Sequence, residues 1–222
     1  MWIKVCGIRD LETARAVADL GIDAIGLNFY SRSPRSVSID DATAISQALP
    51  QEIARVGVFV NHSLAEITSI ATSCRLDLVQ LHGDEPASFL VELARKLPEV
   101  RLVRAWRMSA DGLGELISLL EVCSREQVRL AGCLVDAHVT GLYGGSGKTV
   151  PWQRLAEEYS QETFPPLILA GGLTPDNIAQ AISAVRPWGV DVASGVESAP
   201  GVKDIELAKR FVTNARTAVA AG

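Results

Sequence analysis

Features that would direct a chain to a membrane or to nucleic acid are missing from this sequence. No apolar stretch is long enough to cross a bilayer, and Lys4 and Arg9 interrupt the short apolar segment at the N-terminus, so no signal-peptide pattern is present. Lysine and arginine number 21 against 26 aspartates and glutamates, and the net charge of −5 disfavours a broad nucleic-acid-binding surface. We therefore predict a cytoplasmic protein with neither a membrane nor a nucleic acid as its partner.

The spacing of cysteine and histidine is typical of neither a metal site nor a disulfide framework. The 4 cysteines form no C-x-x-C pair, and His62 and His82 have no ligand partners at a zinc-like spacing. In a reducing compartment the simplest state is free thiols. Cys74 and Cys123 lie in helix-like segments, where we expect them to be packing residues. No metal site is predicted.

What the chain does contain is a regular alternation of apolar and amphipathic segments. Strands rich in Val, Ile and Leu are predicted near residues 2–6, 22–27, 54–60, 76–81, 101–106, 131–136, 167–170 and 188–193. Amphipathic helices are predicted near 10–20, 38–49, 63–73, 86–97, 111–123, 151–160, 175–185 and 203–219. Helix starts are marked by Asp10, by Thr174 before Pro175, and by Asp204.

Strand–helix units repeated in this way over 222 residues predict an α/β protein, a single (β/α)8 TIM barrel domain over residues 1–222. The main alternative is an open doubly wound sheet, but its G-x-G-x-x-G fingerprint is absent after the first strand. There is no linker-like segment. The longer loops near 28–37 and 137–150 are therefore expected to be functional rather than domain boundaries.

Two residues at strand ends are candidates for acid–base chemistry, because a (β/α)8 barrel carries its active site at the carboxyl ends of its strands. Cys6 ends the first strand and Asp136 ends the sixth. To act as base and acid near neutral pH, the thiol pKa would have to fall from about 8.5 and the carboxyl pKa rise from about 3.9. Taken alone, Cys6 could be a small core residue, and Asp136 could be a helix N-cap or a partner for a basic residue. Cys133 lies on the same strand as Asp136, but alternation places it on the opposite face, toward the helices.

The ends of the last two strands predict a phosphate site. Gly171 and Gly172 follow the seventh strand, and Ser194 and Gly195 follow the eighth, where Val196 could open a short extra helix. Glycine amides at these two loops are the usual phosphate cradle of this fold. No second glycine pair follows the third or fourth strand, so a substrate with one phosphate is favoured.

Further candidates surround these strand ends. Arg35 lies in a loop after the second strand and could bind a carboxylate with its planar fork, although most loop arginines are solvated surface charges. Gln80 and His82 share the inward face of the fourth strand and could line the pocket. Lys4 has the same parity as Cys6, so it should point into the barrel and pair with Asp191.

The segment from Gly144 to Lys148 resembles the end of a nucleotide-binding P-loop, with Thr149 following. It lacks the first glycine of G-x-x-x-x-G-K-[ST] in register, and no strand leads directly into it. We interpret it as a flexible loop that closes over the site, with Gly145 contacting the substrate.

Several short motifs occur together in an order that is typical of one enzyme family. They are Lys4-Val5-Cys6-Gly7-Ile8, Gly26-Leu27-Asn28-Phe29, Ser33-Pro34-Arg35, Val79-Gln80-Leu81-His82-Gly83, Leu134-Val135-Asp136, Gly144-Gly145-Ser146-Gly147, Leu169-Ala170-Gly171-Gly172-Leu173 and Asp191-Val192-Ala193-Ser194-Gly195-Val196-Glu197. With these motifs, which extend from the first predicted strand to the last, the chain resembles the phosphoribosylanthranilate isomerases of tryptophan biosynthesis.

The resemblance implies an Amadori rearrangement of N-(5-phosphoribosyl)anthranilate to 1-(2-carboxyphenylamino)-1-deoxyribulose 5-phosphate. It implies that Asp136 is the general acid that opens the furanose ring and that Cys6 is the base that removes the proton from the sugar C2 carbon. It also implies that Arg35 contacts the anthranilate carboxylate and that the glycine loops at 171–172 and 194–195 hold the phosphate. No metal or redox cofactor is expected, because the reaction only moves protons.

Three alternatives stay open at this point. A related aminoaldose isomerase of histidine biosynthesis has an aspartate in place of the strand-one cysteine and two phosphate sites, and a dual-substrate isomerase would share those features. Cys6 and the single cradle disfavour both. A catalytically silent barrel that binds a phosphorylated ligand is disfavoured by the presence of both Cys6 and Asp136. The oligomeric state is not predicted.

Overall fold

The computed structural model describes residues 1–108, 112–137 and 150–220. Parallel strands form a closed barrel in chain order, in which β1 is hydrogen-bonded to both β2 and β8. The strands are β1 (Trp2–Cys6), β2 (Ala24–Asn28), β3 (Ala54–Phe59), β4 (Leu78–Leu81), β5 (Arg101–Met108), β6 (Leu130–Ala137), β7 (Leu167–Leu169) and β8 (Gly189–Val192). Closure excludes the open doubly wound sheet and confirms the predicted barrel. The assignment of residues 1–222 to one domain stays a prediction.

A helix follows each strand of the barrel. These helices are α1 (Leu11–Ala18), α2 (Ile39–Ala48), α3 (Leu64–Ser73), α4 (Ala87–Lys96), α5 (Gly114–Arg125), α6 (Trp152–Glu158), α7 (Ile178–Val185) and α8 (Ile205–Ala220). Two predicted helix starts are confirmed by caps. The carboxylate of Asp10 accepts the backbone N–H of Thr13 at 2.8 Å, and that of Asp204 accepts the N–H of Leu207 at 2.9 Å.

Strand alternation divides the core into two layers. The interior of the barrel is filled by small and branched side chains, namely Ala24, Val56, Leu78, Val103, Ala105, Leu134, Ile168 and Ala170. The larger layer lies between the sheet and the helices and includes Cys74, Cys123 and Cys133. All 4 cysteines are free and buried, and Cys133 belongs to the outer layer, opposite Asp136, as predicted.

One predicted helix begins later than its sequence suggests. Helix α7 begins at Ile178, not at Pro175, because the side chain of Asn177 holds the preceding residues in a turn. Its Oδ1 accepts the N–H of Thr174 at 2.8 Å, and its Nδ2 donates to the carbonyl of Gly172 at 2.9 Å. The same side chain therefore fixes the loop after β7, where the predicted phosphate site lies.

The chain after β8 also departs from prediction. A single 3-10 turn covers Ser194–Val196, and the residues after Val196, where a short extra helix was predicted to begin, form an antiparallel hairpin of β9 (Glu197–Ala199) and β10 (Val202–Lys203). Gly201 makes the hairpin turn possible, because its φ of +80° favours glycine. A Cβ at this position would lie 2.5 Å from the carbonyl oxygen of Pro34, so the hairpin packs closely on the loop after β2.

Candidate active site

A cavity of about 260 Å³ opens at the carboxyl ends of the barrel strands. It collects most of the predicted site residues, although they come from strands and loops spread over the chain. The predicted residues that line it are Cys6, Arg35, Gln80, His82, Asp136, Gly171, Gly172 and Ser194. The barrel brings them together because the carboxyl ends of parallel strands meet at one face.

Cys6 lies at the end of β1 with 8% of its surface exposed. Gly26 on β2 makes room for its thiol, since a Cβ on that glycine would lie 2.5 Å from Sγ. Burial raises the pKa of the Cys6 thiol, which is opposite to the shift that a base requires. The positive charges of Lys4, Lys203 and Arg35 favour the thiolate and act against that effect. The carboxylate of Asp191 adds to the effect of burial, and the net pKa stays raised.

The predicted partnership of Lys4 with Asp191 is confirmed. The ammonium of Lys4 lies 2.7 Å from Oδ2 of Asp191, and their side chains are 1% and 8% exposed. Burial alone would lower the pKa of Lys4, but the charges of Asp191 and of an ionised Cys6 outweigh it, so the pKa is raised. Lys4 therefore stays charged inside the barrel, on the same face of β1 as Cys6.

Gln80, His82 and Asp136 form the opposite wall of the cavity. The amide Nε2 of Gln80 lies 2.9 Å from Nδ1 of His82, and Nε2 of His82 lies 3.7 Å from Oδ2 of Asp136. With the amide nitrogen donating, Nδ1 accepts and a neutral imidazole carries its proton on Nε2, on the side of Asp136. Within the described residues, this buried Nε2 has no hydrogen-bond partner. The arrangement places a proton-carrying group next to the candidate acid.

The two predicted phosphate loops lie side by side. Gly171 and Gly172 have φ values of +84° and +62°, a left-handed backbone that favours glycine. Gly195 is not among the residues that line the cavity, which differs from its predicted role as a contact residue. A Cβ at Gly195 would lie only 1.8 Å from the carbonyl oxygen of Leu173. Gly195 therefore allows the loops after β7 and β8 to pack together, and Ser194 beside it faces the cavity.

Arg35 reaches the cavity but is not a free arginine. Its Nε and Nη2 donate to the two carboxylate oxygens of Glu197 at 2.9 and 2.7 Å. Glu197 in turn accepts a hydrogen bond from Lys203 at 2.7 Å. Neither Glu197 nor Lys203 was among the predicted site residues. The available signal was that Glu197 ends the last family-like motif, directly after the predicted phosphate loop.

Two predictions on the loop after β6 are not addressed by the described residues. Gly145 and the rest of the segment 138–149, which was interpreted as a loop that closes over the site, lie outside them.

Within the described ranges, no group of three His, Cys, Asp or Glu side chains is placed to hold a metal ion. No helix in those ranges is long and apolar enough to cross a membrane.

Comparison with known proteins identifies close relatives over nearly the whole chain. The sequence model of a family described as N-(5'phosphoribosyl)anthranilate (PRA) isomerase matches residues 3–214. An N-(5'-phosphoribosyl)anthranilate isomerase of Roseiflexus sp. is 44% identical over 223 residues, covering 97% of this chain and 98% of the relative. The enzyme of that name from Geobacter metallireducens is 42% identical over 214 residues, covering 96% and 98%.

Solved structures agree with this relationship. Phosphoribosyl anthranilate isomerase from Thermotoga maritima superposes with a TM-score of 0.83 at 37% identity, covering 98% of this chain and 99% of that chain. A phosphoribosyl anthranilate isomerase in complex with reduced 1-(o-carboxyphenylamino)-1-deoxyribulose 5-phosphate superposes with a TM-score of 0.80 at 36% identity, with the same coverage. The chain belongs to the phosphoribosylanthranilate isomerase family.

Proposed function

We propose that this protein converts N-(5-phosphoribosyl)anthranilate to 1-(2-carboxyphenylamino)-1-deoxyribulose 5-phosphate in tryptophan biosynthesis. The observation that carries the proposal is the convergence of four chemical groups on one cavity. They are the thiol of Cys6, the carboxyl of Asp136, the glycine loop after β7 and the guanidinium of Arg35. A substrate with a phosphate at one end and a carboxylate at the other matches this set.

In the proposed first step, Asp136 donates a proton to the furanose ring oxygen. The bond between C1 and that oxygen then breaks, and the lone pair of the anthranilate nitrogen forms a protonated imine with C1. A carboxyl group donates efficiently only in its protonated form, so the step requires the acid form of Asp136. The imidazole Nε2 of His82 lies 3.7 Å from Oδ2 of Asp136 and is a candidate for returning that proton.

In the proposed second step, Cys6 removes the proton from C2. The electrons of the C2–H bond move to the imine and give a neutral enolamine, which tautomerises to the ketone. The thiolate is the active base. Burial and the carboxylate of Asp191 disfavour it. Lys4, Lys203 and Arg35 favour it, and the cationic imine adds positive charge beside C2. The positive imine also acidifies the C2–H bond, so a weak base is sufficient.

The loops after β3 and β4 support a substrate with a single phosphate. Their backbone amides are already occupied, because the carboxylate of Glu85 accepts from Asn61 at 2.7 Å and from Gly83 at 3.0 Å. Glu85 is also paired with the buried guanidinium of Arg104 at 3.0 Å, so these amides and charges are already engaged with one another. The bisphosphorylated aminoaldose of histidine biosynthesis is therefore disfavoured as a substrate.

The test is turnover of freshly prepared phosphoribosylanthranilate, followed by the loss of anthranilate fluorescence. We expect rapid turnover by the wild type and a fall in kcat of about 10²- to 10⁴-fold in both Cys6→Ala and Asp136→Asn. Cys123→Ala, another buried cysteine, and Asp40→Asn, an exposed aspartate, are matched controls that should keep the wild-type rate.

Two outcomes would contradict the proposal. If the folded wild type is inactive on this substrate but converts the histidine-pathway aminoaldose, the substrate assignment is wrong. If it converts neither but binds inorganic phosphate, the silent binding barrel is favoured. Full activity in Cys6→Ala would overturn the role of that thiol alone.

A further inference from the structure

A buried cluster of three charged side chains adjoins the cavity on the side of β8. Glu197 on β9 is held between Arg35, from the loop after β2, and Lys203 on β10. The Lys203 and Glu197 side chains are 1% and 4% exposed, and that of Arg35 is 12% exposed. Lys203 also donates to the carbonyl oxygen of Ala193 at 3.0 Å. The cluster therefore connects the loop after β2 with the loop after β8.

The charges in this cluster do not cancel. Two cations surround one carboxylate, which leaves one positive charge largely withdrawn from water beside the cavity. Burial alone would raise the pKa of Glu197, but the hydrogen bonds from Arg35 and Lys203 outweigh it and lower the pKa. Glu197 is thus ionised at neutral pH. An excess positive charge with little access to water favours an anionic ligand.

The way in which Glu197 holds Arg35 leaves part of the guanidinium available. The carboxylate takes the edge formed by Nε and Nη2. Among the described residues, Nη1 has no hydrogen-bond partner, and Arg35 lines the cavity. The stem of the side chain is fixed as well, because a Cβ on Gly7 would lie 2.7 Å from Cδ of Arg35. The guanidinium is therefore oriented before any ligand arrives.

We propose that Glu197 is a positioning residue, which fixes the orientation of Arg35 so that the unoccupied end of the guanidinium binds the carboxylate of the substrate. Lys203 anchors Glu197 to the loop that follows β8. The distance between the carboxylate-binding and phosphate-binding groups is set by this anchor, so the cluster selects ligands that carry both anions. This inference rests on the proposed function, since it takes the carboxylate from the proposed substrate.

Removing the charge of Glu197 distinguishes two explanations, because they predict opposite changes in the affinity for a carboxylate ligand. If Glu197 only offsets positive charge, Glu197→Gln should make the cavity more positive and bind a carboxylate ligand more tightly. If Glu197 positions Arg35, the same variant should bind that ligand more weakly. An oriented arginine loses less conformational freedom for each hydrogen bond that it forms, so loss of orientation weakens binding.

The probes are two stable ligands that require no turnover. One is reduced 1-(o-carboxyphenylamino)-1-deoxyribulose 5-phosphate, and the other is its counterpart without the carboxyl group. Calorimetric titration gives the ratio of the two dissociation constants for each variant. A fraction of misfolded protein changes the number of sites but not this ratio, so the ratio reports on carboxylate recognition alone.

We expect Glu197→Gln to reduce the preference for the carboxylate ligand by about tenfold, the scale of one charge-assisted hydrogen bond. Arg35→Met should abolish the preference, and adding Glu197→Gln to Arg35→Met should change the ratio by less than about twofold. Glu197→Asp, which keeps the charge on a shorter side chain, should give an intermediate ratio. Glu206→Gln, the same substitution at an exposed position on α8, is the matched control.

An unchanged or increased preference in Glu197→Gln would overturn the positioning role. A further loss in the double variant would also overturn it, because Glu197 would then act independently of Arg35. In steady-state turnover the variant should show a raised KM with a smaller change in kcat. Failure of the proposed function is recognised separately, because the wild type would then neither turn over phosphoribosylanthranilate nor prefer the carboxylate ligand.

Discussion

The two walls of the cavity hold their polar groups in different ways. The β1–β8 wall, defined here as Lys4, Cys6, Asp191, Glu197 and Lys203, contains two buried ion pairs with distances of 2.7 Å. The β4–β6 wall, defined as Gln80, His82 and Asp136, includes a hydrogen bond of 2.9 Å between Gln80 and His82, and Nε2 of His82 lies 3.7 Å from Oδ2 of Asp136. The candidate base therefore lies among fixed charges, whereas the candidate acid lies beside the imidazole of His82.

This difference fits the chemistry proposed for each side. Positive charge favours a thiolate, and Lys4 and Lys203 act on Cys6 in that direction, although burial keeps the pKa of the thiol raised. A carboxyl group that must be protonated gains nothing from a fixed cation, which would favour its ionised form. A histidine such as His82 can carry a proton without adding a permanent charge. The two walls thus place different kinds of groups beside the candidate base and the candidate acid.

The largest expected effect comes from breaking one ion pair of the β1–β8 wall. Lys4→Met leaves Asp191 buried without its cation, so we expect the free energy of unfolding to fall by about 3–5 kcal/mol. Gln80→Leu on the β4–β6 wall removes one neutral hydrogen bond and should cost about 1–3 kcal/mol. Urea-induced unfolding followed by circular dichroism measures both. The double variant Lys4→Met/Asp191→Leu should recover much of the loss, and equal losses in the two single variants would contradict the comparison.

The pH dependence of the free energy of unfolding tests the charges of Lys4 and Glu197, and the expected effects are smaller. The pKa of Lys4 is raised from 10.5 in the folded state, so its contribution is complete below pH 10.5 and is lost as the pH rises through the folded pKa. The pKa of Glu197 is lowered from 4.5, so its contribution is complete above pH 4.5 and is lost as the pH falls through the folded pKa. Unfolding measured across both ranges should show these losses.

Each loss of stability should disappear in the variant that lacks the corresponding charged side chain. Lys4→Met should flatten the alkaline limb of the stability curve relative to wild type, and Glu197→Gln should flatten the acid limb. Glu206→Gln serves again as the exposed control. An alkaline limb that is the same in Lys4→Met and in the wild type would show that the buried pair does not set it.

The smallest effect is a difference in the labelling rates of the thiols. Cys6 is 8% exposed and lines the cavity, whereas Cys74, Cys123 and Cys133 are exposed by 2% or less. Burial also raises the pKa of Cys133 to about 12. We expect iodoacetamide to label the native protein at Cys6 first, and more slowly than free cysteine because its pKa is raised. Intact mass and peptide mapping report the site, and earlier labelling of Cys133 would contradict the burial order.

Much of the fold follows from the sequence because secondary structure leaves a local periodic pattern. Buried strands appear as continuous apolar runs and helices as a repeat near 3.6 residues, so their alternation predicted the barrel. The fold in turn places the end of every strand on one face. Cys6, Asp136 and the glycines at 171–172 could therefore be assigned to one site without knowledge of any distance. Lys4 and Asp191 could be paired by the parity of neighbouring strands.

The other features of the site depended on tertiary contacts, which leave no periodic pattern in the sequence. Arg35 and Glu197 are 162 residues apart, and they meet only because the β9–β10 hairpin packs on the loop after β2. The sequence alone did not show that Glu197 already binds one edge of the Arg35 guanidinium. It also did not show that Gly195 allows two loops to pack together, or that burial raises the pKa of Cys6. Local sequence determined which groups reach the cavity. Tertiary packing decided their partners, their orientation and their charge, because these depend on burial and on distances between residues remote in the chain.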